Sequence, residues 1–223
     1  TYFTEIVGKL KETCQFGNEF LKYLNNSVKS KFKLSQVTDT EVREVLDKIT
    51  VDKSTGLDNI PEKIVKLAAP YIVLPLTHVI NLSLTQGVVP REWKTAKVIP
   101  IPKCNNVSDM SDYRPICVLP VLSKVLEKIV QRQVTKYLTE NSLLTCQQSG
   151  FRPNHSTTTA LLNVIEDLFT SMDNGLVTCL VTLDLKKAFD MVDHSILIEK
   201  LRHYGFDDVS VLWFISYLNE RVQ

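Results

Sequence analysis

The run "LVTCLVTLD" at residues 176–184 constrains the fold most. It is the strongest strand pattern in a chain whose other apolar residues recur mainly at helical spacing. Side chains alternate faces along a strand. Val177, Cys179, Val181 and Leu183 therefore share one apolar face, while Thr178, Leu180, Thr182 and Asp184 share the other. A strand of this kind needs neighbours for its backbone groups. The sequence therefore predicts an α+β protein, rich in helices, with a small antiparallel sheet that contains 176–184.

The helical pattern surrounds that run. Thr38 or Asp39 is placed to cap a helix carrying Val42, Val45, Leu46 and Ile49. "DKSTGLDNIP" at 52–61 is turn chemistry, with helices expected at about 62–69 and 72–86, the second stopped by Gly87. "AAPYIVLPLTHVINLSL" is the most membrane-like stretch. It carries two prolines, His78 and Asn81, and reads as a core helix. Ser123 is expected to cap a helix with Leu126, Ile129, Val130, Val134 and Leu138 on its apolar side. Residues 156–172 form the clearest helix, with Leu161, Val164, Ile165, Leu168 and Met172 on one stripe. Two more helices are marked by Leu197, Leu201 and Tyr204, closed by Gly205, and by Val211, Ile215 and Leu218. "WKTAKVIPIPK" and "SDYRPICVLP" are extended, and Pro100 and Pro102 exclude the first from a central strand position.

Net charge is +1 over 223 residues, so no whole-chain field attracts nucleic acid. The "KSKFK" patch at 29–33 reads as a solvated face. Cys14, Cys104, Cys117, Cys146 and Cys179 are scattered, never in a C-x-x-C pair. This argues against a disulfide framework or zinc site and suits a reducing compartment. The chain opens on Thr1 and stops at "SYLNERVQ", and is expected to be a piece of a longer protein.

Asp184, Asp190 and Asp193 fall within ten residues. Spacing alone leaves two readings of Asp184, a metal ligand at the end of a rigid strand or a helix cap. Asp193 suits the cap role, since it precedes "HSILIEKLRHYG".

The stretch "VTLDLKKAFDMVDH" resembles motif A of reverse transcriptases of non-LTR, LINE-type retrotransposons, with Jockey and CR1-like elements as the nearest group. "KSTGLDNIP", "AKVIPIPK", "SDYRPICVLPVLSKVLEKIV", "QQSGFRPNHSTTTAL" and "LRHYGFDDVSVLWFISYLNERVQ" follow the same family's order and approximate spacing, from about residue 40 to the end. The resemblance implies a right-hand polymerase fold. Residues 1–37 would be an N-terminal extension or linker, 38–175 the fingers, and 176–223 a partial palm. It also implies an RNA-directed DNA polymerase using two magnesium ions for nucleotidyl transfer. RNA template, DNA primer and deoxynucleoside triphosphates would be the partners, no membrane is involved, and the nucleus is the expected location.

Carried onto this chain, the resemblance makes Asp184 the catalytic, metal-binding carboxylate. Leu185 would lie near the triphosphate, and Phe189 would be the steric gate against the ribose 2′ hydroxyl; without the motif, Phe189 reads as core packing. Lys103 and Arg114 would grip the triphosphate, although Lys103 also reads as a surface lysine. Gln148, Gly150, Phe151 and Arg152 would contact the template. His155 reads as non-catalytic. The family's second carboxylate motif, an Asp-Asp pair at a hairpin tip, is not found here. "GFDDVS" at 205–210 lies between helical patterns, so Asp207 or Asp208 reads as a helix N-cap. The preceding "PQG" motif and the thumb are missing as well, so this chain alone is expected to be inactive. The alternative is a decayed or domesticated fragment that binds nucleic acid without catalysis.

Overall fold

The computed structural model describes residues 22, 28, 30–50, 54–103, 105–106, 108–185 and 187–222. Lys29, Asp52, Lys53, Cys14 and Cys104 of the stretches above lie outside the described residues.

Local cap chemistry starts the first helix. Thr38 and Glu41 form a reciprocal capping box, and α1 runs Asp39–Asp47 with Val42, Val45 and Leu46 buried. α2 spans Glu62–Gln86 as one helix, where two were expected. Pro70 and Pro75 lie inside it without ending it. Each proline removes the bond to the carbonyl four residues back, on Lys66 and Tyr71. Both of those residues are exposed, and an exposed backbone group can be satisfied by water. Ala69, Leu76, Ile80 and Leu84 of α2 are buried in the core, as expected for a core helix, although α2 is long and apolar enough to cross a membrane. A left-handed Gly87 closes it.

α3 (Val121–Glu140) starts two residues before the expected cap. Pro120 is the N-cap, and the Ser123 hydroxyl instead donates to the Trp93 carbonyl at 2.9 Å. α4 is Thr157–Asp173, capped by Ser156. α5 is His194–His203 and α6 is Asp208–Leu218.

Helices α1, α3 and α6 pack around α2. Trp213 is fully buried and donates its indole N–H to Ser83 Oγ at 3.0 Å, which joins α6 to α2. Residues 30–37 belong to this body. The Phe32 N–H donates to the Gly205 carbonyl at 2.8 Å, and the Asp207 N–H donates to the Phe32 carbonyl at 2.9 Å. The Phe32 ring packs on Phe206 and Tyr137, at centroid distances of 4.3 and 5.0 Å. Lys31 and Lys33 stay exposed on either side. Each large apolar side chain buried this way contributes about 1.5–3 kcal/mol. Gly205 is required at this junction. Its φ is +85°, and a β-carbon would stand 2.6 Å from the Ser30 carbonyl oxygen.

The sheet differs from the expectation. β1 (Lys97–Pro102) pairs antiparallel with β2 (Tyr113–Val118), with Lys97 opposite Val118 and Ile101 opposite Arg114. The Lys103 N–H donates to the Asp112 carbonyl at 2.7 Å and extends this register. Antiparallel pairs alternate between bonded and non-bonded positions. Pro100, Pro102 and Pro115 consequently all fall at non-bonded positions, where the missing N–H points away from the ladder.

Residues 176–184 are not in this sheet, which corrects the expected strand. They are irregular and exposed, with Val177 at 100% and Leu183 at 90%. A strand persists only where its N–H and C=O groups find a neighbour, and no described segment pairs with this one. The stripe of α4 is only partly covered: Val164, Ile165 and Leu168 are half-buried, Leu161 and Met172 are exposed, and the helix fully buries no residue.

Candidate functional site

Three stretches carry the candidate residues. In the hairpin, Lys103 follows Ile101 by two positions, and Arg114 stands opposite Ile101. Alternation puts Lys103, Ile101 and Arg114 on one face, so the hairpin register serves both cations at once. The connecting loop is held by Asp112, whose carboxylate accepts the N–H groups of Ser108 at 3.0 Å and Asp109 at 3.1 Å. These bonds, Ser108 first, hold the Asp112 carboxyl below its ordinary value, with the Lys103 cation adding.

The second stretch is the loop from Thr145 to Ser156. Gln148 Nε2 donates to the Gly150 carbonyl at 3.1 Å, and Arg152 Nη1 donates to the Thr145 carbonyl at 2.7 Å. The loop is thus clamped by two residues assigned to the template, and Arg152 retains its other guanidinium donors. Gly150 has open space around it. Phe151 and Asn154 are the loop's left-handed positions, with φ 61° and 62°, and Phe151 is 90% exposed. His155 Nδ1 sits 2.9 Å from the Pro153 carbonyl oxygen.

The third stretch is 181–194. Asp193 caps α5, accepting the N–H groups of Ser195 and Ile196 at 2.8 and 3.2 Å, as its position predicted. Lys187 adopts a left-handed φ of 53° and opens a tight turn, its carbonyl accepting the N–H groups of Asp190 and Met191. Asp184 and Leu185 are exposed, and Asp184 makes no hydrogen bond or ion pair among the described residues. Phe189 is exposed at 77%, so it is not a core residue in this structure.

The fold brings the second and third stretches together. The Phe151 and Phe189 rings meet edge to face, 5.6 Å between centroids at 90°. Asp190 and Arg221 both act on the Cys117 thiol of β2, which burial pushes up, with Arg221 opposing and Asp190 adding. Sequence reading missed both relationships, because no local pattern signals a contact between separate loops. It also missed the support behind them. Arg221 lies over the Tyr217 ring at 4.5 Å, and the Tyr217 hydroxyl donates to Glu127 Oε1 at 2.7 Å.

"GFDDVS" is no hairpin. Asp207 caps α6 by accepting the Ser210 N–H at 2.9 Å. Among the described residues no three metal-ligating side chains gather. Magnesium is often held by one or two carboxylates completed by substrate phosphates and water. The uncommitted carboxylate of Asp184 fits such a donor set as one member of it.

The sequence profile of a family described as "Reverse transcriptase (RNA-dependent DNA polymerase)" matches residues 101–223. The chain is 30% identical over 210 residues to the "RNA-directed DNA polymerase from mobile element jockey" of Drosophila melanogaster, covering 90% of this chain and 22% of the relative. It is 28% identical to the fly's "Probable RNA-directed DNA polymerase from transposon BS", covering 82% of this chain and 20% of the relative. It is also 28% identical to the same fly's "Probable RNA-directed DNA polymerase from transposon X-element", at 77% and 19%. The chain therefore spans about a fifth of the length of these relatives.

Proposed function

Because the chain belongs to the reverse transcriptase (RNA-dependent DNA polymerase) family, we propose that it forms the nucleotide-binding side of a retrotransposon polymerase that copies RNA into DNA. Residues 38–175 act as fingers and 176–223 as the first part of the palm. The observation that carries this reading is convergence. Segments 148–152 and 184–190 are far apart in sequence, yet the Phe151 and Phe189 rings meet edge to face at 5.6 Å.

Each side chain then has a task set by its chemistry. Lys103 supplies a compact point charge and Arg114 a planar fork for the triphosphate oxygens. The Leu185 backbone lies along that triphosphate. Phe189 fills the volume that a ribose 2′ hydroxyl needs. The clamped loop with Gln148, Gly150, Phe151 and Arg152 faces the RNA template. Asp184 holds a magnesium ion. A bound magnesium pair would stabilise charge on the phosphoryl group being transferred. Further carboxylates would have to join it, since no three metal-ligating side chains gather among the described residues.

The test is Asp184→Asn in a polymerase of the relatives' full length carrying this chain. The substitution keeps side-chain size and removes charge. DNA synthesis should be abolished while RNA binding and thermal unfolding stay as in the parent. Asp208→Asn, at the exposed start of α6, should leave synthesis nearly unchanged. A working Asp184→Asn enzyme rejects the metal assignment.

A further inference from the structure

We infer that Phe151 is a positioning residue for Phe189, so that rejection of ribonucleotides depends on the loop at 148–152 as well as on motif A. The inference rests on the reading of Phe189 as the gate. A gate ring works only if it stays in the space the 2′ hydroxyl would take. Phe189 is 77% exposed within the turn that Lys187 opens, so packing does not fix its rotamer. Its aromatic neighbour is Phe151, set edge-on at 5.6 Å and 90°, a preferred geometry for two rings.

Phe151 has no stability role that explains its conformation. Its ring is 90% exposed, yet its backbone holds φ 61°, an outlier for a bulky residue. The bonds from Gln148 to Gly150 and from Arg152 to Thr145 fix the loop on either side. A strained position that buries nothing and aims one ring at another is accounted for by the ring contact it makes. A loop facing the template would thereby also set the gate.

The experiment measures kcat/KM for matched ribo- and deoxynucleotides in the full-length polymerase. The parent is compared with Phe151→Ala, Phe151→Tyr, Phe189→Ala and the double alanine variant. A ring pair of this geometry predicts that Phe151→Ala weakens discrimination about two- to twelvefold. Phe151→Tyr keeps the edge contact and should retain it. The double variant should discriminate no less than Phe189→Ala alone, since no gate ring is left to position. Both rings are exposed, so thermal unfolding should not move. Suppose instead that Phe189→Ala admits ribonucleotides while Phe151→Ala changes both nucleotide classes equally. Phe151 is then a template contact only, and the inference fails with the gate intact. If Phe189→Ala itself changes nothing, the gate reading falls and takes this inference with it.

Discussion

Lys124 Nζ and Glu62 Oε1 lie 2.9 Å apart and tie the start of α2 to the first turns of α3. The Glu62 side chain is only 3% exposed, and its Oε2 has no hydrogen-bond partner. That carboxylate therefore depends on one lysine. Lys124→Met should destabilise the chain by about 3 kcal/mol, because it strands a buried charge. The double variant Glu62→Leu/Lys124→Met should recover most of the loss, since apolar replacement of a whole buried pair is often neutral or stabilising. Urea unfolding measures both. Equal losses in the single and double variants would show that packing, not charge, dominates here.

A second link joins the segments that lead into these two helices. A β-carbon on Gly56 would stand 2.8 Å from the Pro120 nitrogen and 3.0 Å from the Leu119 carbonyl carbon. Both neighbours are backbone and cannot rotate away. Gly56→Ala should cost about 1–3 kcal/mol, the usual range for overpacking. Gly150→Ala should stay within about 0.5 kcal/mol, as for surface sites free of special features, because nothing lies within 4 Å of the added carbon. A shift of similar size in both variants would contradict the contact.

These glycines show where sequence reading reaches and where it stops. The cap at Asp193 was legible, and those at Thr38 and Asp207 were each legible as one of two neighbouring candidates, because a cap is written within three residues of the groups it serves. "STGLD" was legible as a turn, but not as a surface fitted to Leu119–Pro120. Pro70 and Pro75 suggested a break, because the sequence does not say that Lys66 and Tyr71, whose carbonyls lose a partner, are exposed. The run 176–184 has a strand pattern, yet a strand is a relation between two segments, and none of the described residues pairs with it. The candidate site divides the same way. Residue types at Asp184, Arg114 and Phe189 could be read in order along the chain. The meeting of Phe151 with Phe189, across the whole of α4, could not.

The network at the end of α6 predicts a pH dependence. Burial, then the neighbouring Glu127 carboxylate, pushes Tyr217 from 10.0 up to about 12, against the opposing Arg221 cation. In the unfolded chain the phenol ionises near 10.0, while in the folded chain it stays protonated to about 12. The unfolded state therefore binds fewer protons in this window. The stabilisation is full below the unfolded value and is lost as pH rises through the folded one. Chemical unfolding of the parent between these limits should show a steeper fall with pH than Tyr217→Phe. Glu127→Gln should move the phenolate absorbance to lower pH. Parallel curves for parent and Tyr217→Phe would remove Tyr217 as the cause.

Arg114 offers the most direct test of the hairpin. Its side chain is exposed and shares a face with Lys103, so removing it should leave thermal unfolding unchanged. In the full-length polymerase, Arg114→Ala removes charge-assisted bonds to phosphate, each contributing about 1.5–3 kcal/mol. That corresponds to roughly a ten- to hundredfold rise in nucleotide KM. Arg114→Lys should recover only part of it, because a point charge cannot make the two parallel bonds of the guanidinium fork. Asp112→Ala probes the support behind the pair. It releases the loop N–H groups of Ser108 and Asp109, loosening the segment that joins Lys103 to Arg114. Its effect on nucleotide KM should be smaller than that of Arg114→Ala and should be absent in the Arg114→Ala/Lys103→Ala background, where no cation is left to orient. Template binding should not change in any of these variants. A normal nucleotide KM in Arg114→Ala would place the triphosphate away from this face of the hairpin, whatever Asp112 does to the loop.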